Sequence, residues 1–145
     1  MADNFSSLEE ALDWVSIMTP KLIQTFHLTC LGKMSAKFGD LSPLHLGEAT
    51  YDKGSDELHF IITLNPCLVL KKDILSVLLH ELIHVHVWCE MLKEDNKLTA
   101  LQMAIDNAKH EGLFAEKCQE VGFKGPFKST HAKPALVKRL LELDI

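Results

Sequence analysis

The sequence predicts an α+β fold in a single domain: N-terminal helices, a small antiparallel β-hairpin, a long apolar central helix and a further helix behind it. Three observations predict it. Residues 74–90 (ILSVLLHELIHVHVWCE) are apolar almost all round, the pattern of a helix buried on every side. Residues 57–64 (ELHFIITL) are rich in β-branched and aromatic side chains and follow the turn-forming run Asp52-Lys53-Gly54-Ser55-Asp56, so they read as a hairpin with residues 44–51. Residues 97–121 read as helical, with a break near Asn107 or Gly112.

Ser7-Leu8-Glu9-Glu10 is a capping box, the signature of a helix start, and Leu8, Leu12, Val15, Ile17 and Met18 follow as its apolar positions. Pro20 interrupts that helix or begins a second one running through Leu22, Ile23, Phe26, Cys30 and Met34 toward Gly39. Trp14, Phe26 and Phe38 are expected to be packing residues. Asn65-Pro66 ends the second strand, and residues 68–72 lead into the central helix. Gly125-Pro126 reads as a turn, and residues 134–143 as a short helix that docks Leu136, Leu140 and Leu143 on the core. The chain thus divides into N-terminal helices (residues 1–40), a core (41–123) and a basic closing segment (124–145). That segment carries Lys124, Lys128, Lys133, Lys138 and Arg139, charges expected on a solvated face.

A chain of 145 residues with 47% apolar content suits one domain with a real core. The opening MADNFSSLEEALDW has acidic residues and no uninterrupted apolar run, so neither a secretory signal nor a membrane anchor is expected there and a cytoplasmic location is the default. Cys30, Cys67, Cys89 and Cys118 form no C-x-x-C pair and are expected to be buried, reduced thiols. A net charge of −5 excludes a protein that binds nucleic acid by its overall field.

Within the central helix, His80-Glu81-Leu82-Ile83-His84 is an H-E-x-x-H pattern. Four residues at 100° each bring a helix back to within about 40° of its starting direction, so both imidazoles leave one face a turn apart, at a spacing that fits one Zn²⁺. Glu81 sits beside that pair, placed to act as a general base rather than a ligand. Burying three ionisable side chains in an apolar helix costs several kcal/mol unless they find partners, and a metal ion partners all three. Val87 and Glu90 stand where a metzincin would supply Gly and its third His. The third ligand must come from elsewhere, and His110, Glu111 and Glu116 are the candidates. Tyr51, the only tyrosine, and His131 are candidate oxyanion donors; His45, His59 and His86 are expected to face away.

Residues 41–123 resemble the SprT-like zinc metallopeptidases. The resemblance rests on Ile62-Thr63-Leu64-Asn65-Pro66 at a strand end, on Leu79-His80-Glu81-Leu82-Ile83-His84, and on His110 with Phe114 four residues later. Where members carry H-G-x-x-F, this chain has His110-Glu111-Gly112-Leu113-Phe114, with the glycine displaced by one. The resemblance implies a zincin-like fold, His110 as third zinc ligand on the helix that follows, and hydrolysis of a protein or peptide substrate; apart from it, a sheet edge beside a zinc site could take up an extended peptide as another strand, or the hairpin could be scaffold alone. Two other readings compete: a zinc-binding adaptor without turnover, and a nucleic-acid-associated binding module.

Overall fold

The computed structural model describes residues 5–42, 44–52, 57–94, 110, 112–125 and 130–144. Helix α1 spans Leu8–Thr25, strand β1 Lys33–Phe38, β2 Gly47–Tyr51 and β3 His59–Leu64. Helices α2 (Lys71–Glu94), α3 (Leu113–Val121) and α4 (Pro134–Glu142) follow.

The capping box starts α1 with a small change of partner. Ser7 is the N-cap and its hydroxyl accepts the Glu10 N–H at 3.1 Å, while the Glu10 carboxylate reaches back to the N–H and hydroxyl of Ser6 rather than to Ser7. Pro20 neither stops nor divides the helix. A proline inside a helix costs about 3 kcal/mol, and Val15, Met18 and Leu22 bury completely on both sides of it, each contributing roughly 1.5–3 kcal/mol. Packing therefore wins over propensity.

The expected second N-terminal helix is instead β1. In Lys33–Phe38 the side chains alternate, with Met34, Ala36 and Phe38 half-buried and Lys33, Ser35 and Lys37 exposed. His27 takes a left-handed φ of 53° as α1 ends, and Gly32 turns the chain into the strand at φ 96°, where a Cβ would collide with the Leu58 carbonyl.

The sheet is three-stranded and mixed, in the order β1-β3-β2. The expected hairpin is present, since β2 pairs antiparallel with β3, while β1 adds in parallel on the other side. The turn residues 53–56 lie outside the described residues. Register places Met34, Ala36 and Phe38, then Phe60, Ile62 and Leu64, then Gly47, Ala49 and Tyr51 on one face. Helix α1 covers that face over β1, and α2 covers it over β3 and β2. Between them Phe60, Ile62, Leu64, Ile74, Leu75, Leu78 and Leu79 are fully buried. By length and composition α2 would pass for a membrane span, with mean hydropathy 1.3, but 78% of that window is buried inside the fold.

Behind α2, α3 and α4 close the core with Phe114, Cys118, Leu136 and Leu140. Phe123 and Ala132 form an isolated antiparallel bridge that turns Phe123 inward. Asp144 ties the closing segment down, accepting from Lys71 Nζ at 2.8 Å and from the Trp14 indole N–H. Two of the four cysteines, Cys89 and Cys118, are buried as expected; Cys30 is half-buried and Cys67 exposed.

Candidate metal centre

His80, Glu81 and His84 come from the most deeply buried part of α2, and only 4%, 5% and 7% of their surfaces are exposed. His110 is contributed by the segment just ahead of α3, not by the helix itself, and is exposed. One nitrogen from each of His80, His84 and His110 lies within 4.8 Å of the others, a group able to hold a metal ion. Two ring nitrogens bound to one tetrahedral ion at about 2.0–2.1 Å stand roughly 3.3–3.4 Å apart. His84 Nε2 and His110 Nε2 are 3.2 Å apart, so the pair sits at ligand spacing. The donor set fits a transition-metal ion.

Aromatic rings hold these imidazoles in place. Phe114 stacks on His84 at 4.0 Å and meets His80 and His110 edge-on at 5.1 and 5.2 Å. Trp88, one turn beyond His84 on α2, also stacks with it at 5.9 Å, and Phe123 approaches His80 at 6.1 Å. This apolar collar sets the electrostatics. Burial, then the neighbouring His80 and His110, pushes the His84 pKa down to about 2, so its ring is neutral and ready to donate a lone pair. Burial, then the nearby Glu48 carboxylate, raises Glu81 to about 8.

The three histidines and Glu81 open onto a cleft of about 500 Å³ whose opposite wall is β2 and the segment before it. Glycine at position 47 is what lets that wall come so close. A Cβ there would stand 2.7 Å from Val77 Cγ1 and 3.1 Å from Glu81 Cγ. The sequence reading missed this residue, although a glycine inside a strand is the usual mark of a close backbone approach.

The remaining candidates separate. His131 lines the cleft, and so does His45, against the expectation that it faces away. Tyr51 is half-buried against the core, in register with Phe60, and is not among the residues lining the cleft. His86 faces elsewhere, its Nδ1 accepting the Thr29 N–H at 2.8 Å, and His59 meets the Ser35 hydroxyl on the open face of the sheet. Glu111 lies outside the described residues, and Glu116 lines a separate groove with His86 and Glu90.

No protein-family model, curated protein or solved structure matches the chain. Fold and site together define an α+β domain with a three-histidine candidate metal centre.

Proposed function

We propose that the protein is a zinc-dependent peptidase of a minimal SprT-like kind. The observation that carries this reading is the convergence of His80, His84 and His110 on a cleft that also holds a buried carboxyl, Glu81, on the same helix. A purely structural zinc site closes with four protein ligands and has no use for an adjoining base, whereas a catalytic one keeps three and leaves a corner open. Among the described residues the candidate cluster has three, and its exposed member, His110, faces the cleft.

Zinc held there would supply a Lewis acid that polarises a carbonyl and would lower the pKa of water to about 7. Glu81, ionised once a cation stands nearby, takes the proton from the attacking water and returns it to the departing amine, a contribution of typically 10²–10⁴-fold. Strand β2 is an edge of the sheet and lines the cleft, so an extended peptide can lie along it and present successive carbonyls to the histidines. His131, which lines the cleft, is the proposed donor to a developing oxyanion. A protein or peptide is therefore the proposed substrate class, and the net charge of −5 weighs against a nucleic-acid-binding module.

Metal analysis of the purified protein and hydrolysis of a fluorescently labelled unfolded protein test this together. We expect one zinc per chain, cleavage by the wild type, and loss of cleavage with retained zinc in Glu81→Gln. A Glu81→Gln variant that cuts as fast as wild type, or a protein that takes up no metal, overturns the reading.

A further inference from the structure

We infer that the cleft continues into a subsite for an acidic side chain of the substrate, built by Lys72 and Lys124; this rests on the peptidase reading above. A second cavity of about 520 Å³ adjoins the histidine cleft, and Leu46, Val77, Thr130 and His131 line both. A chain lying in one therefore enters the other without leaving the surface. Lys72 comes from the first turn of α2 and Lys124 from the residues after α3, so two separate elements each contribute a lysine to the lining of one cavity. Both residues are exposed, and among the described residues neither has an ion-pair partner.

Among the described residues Asp73 is the one acid lining that cavity, and it stands in the first turn of α2, where the helix N-terminus favours a negative charge. The lysines are then left to answer an incoming carboxylate. The histidine cleft, by contrast, has no lysine or arginine among its described lining residues, and β2 contributes Glu48 there, so the cationic side chains of the groove gather at its far end. A peptide with an acidic residue at the end that reaches the lysines matches that placement. Hydrophobic contact at Leu46, Leu68 and Val137 gives the acidic residue's stem and its neighbours a floor to rest on.

The test uses zinc-loaded Glu81→Gln protein and fluorescein-labelled peptides of one length, one carrying two glutamates at one end and one with those glutamates replaced by glutamine. Two partly screened charge pairs predict that the acidic peptide binds roughly tenfold tighter at low salt, with the difference shrinking as salt rises. A Lys72→Ala/Lys124→Ala double variant is expected to lose the difference while keeping zinc content and melting temperature, since both side chains are exposed. Equal affinity for the two peptides, or a preference that survives in the double variant, overturns the subsite. So does single-stranded DNA that binds tighter than the acidic peptide through the same lysines, which would make the patch a phosphate surface. Turnover of unfolded protein by the wild type is read separately: turnover without acidic preference sinks the subsite alone, and acidic preference without turnover sinks the peptidase reading alone.

Discussion

Replacing Glu81 by glutamine in the metal-free protein tests how burial controls the site. Glu81 is 5% exposed, and burial, followed by Glu48, raises its pKa from 4.5 to about 8. A group whose folded pKa lies above its unfolded value stabilises the fold fully below the unfolded pKa, and that contribution is lost as pH climbs toward the folded one. Between pH 4.5 and 8 the loss runs at up to 1.36 kcal/mol per pH unit. Water entering the cleft as the carboxyl ionises lowers the slope, which puts the whole loss at about 3–5 kcal/mol. Glutamine fills nearly the same space and does not titrate. The variant is therefore expected to match wild type near pH 5 and to exceed it by about 3–5 kcal/mol near pH 8, a separation of roughly 6–20 °C in Tm for a chain of this size. Urea unfolding in the presence of a chelator, at intervals across that range, gives the difference directly. Parallel pH profiles for the two proteins would refute the argument, because every other titrating group is common to both. Added zinc should flatten the wild-type profile near pH 8, since a cation beside the carboxylate favours its charged form.

Three other outcomes are expected. His110→Ala should weaken metal binding by at least about 100-fold, more than loss of an outer-shell partner costs, as read by competition with a coloured chelator; unchanged affinity would remove His110 from the ligand set. Gly47→Ala places a Cβ 2.7 Å from Val77 Cγ1 and should cost about 1–3 kcal/mol by overpacking; a urea midpoint equal to wild type would show that β2 is free to move away from α2. Leu140→Ala removes a fully buried side chain from α4 and should cost about 2–5 kcal/mol, measured by the same unfolding curves; a cost under about 1 kcal/mol would mean that α4 does not close the core.

What the sequence revealed about this fold follows from the range of the forces involved. The capping box, the all-round apolar helix and the hairpin are local patterns, and each appears where the residues place it. The strand β1 did not announce itself, because Phe26, Cys30 and Met34 repeat at helical spacing and Lys33–Phe38 is only six residues of mostly weak strand formers. Pro20 misled for the opposite reason: its local penalty is real, but tertiary burial outweighs it. In the site, His80, Glu81 and His84 are legible because one helix turn fixes their geometry. His110 stood beside two acidic rivals, Glu111 and Glu116, since 26 residues separate it from His84 and no local rule spans that distance. Gly47 and Phe123 matter only through what packs against them, Glu81 and His80, and the long-range fold alone makes those meetings.

The same burial also decides the order of folding and metal loading. Fixed charges in the middle of α2 would cost far more than the net stability of a domain this size. Two of its groups lower that cost without an ion: the His84 ring is kept deprotonated, and the Glu81 carboxyl keeps its proton to about pH 8. Meanwhile the main core, made by α1, β3 and the apolar sides of α2, draws on none of the candidate ligands. Small zinc modules behave differently, because they have no such core and unfold when the metal leaves. Here metal removal should lower Tm yet leave a cooperative transition. Saturation at 100 times Kd stabilises by about 2.7 kcal/mol, a fraction of what burial alone supplies. A cation bound there would meet a pocket already formed by burial and would favour the ionised form of Glu81, whose proton leaves to solvent.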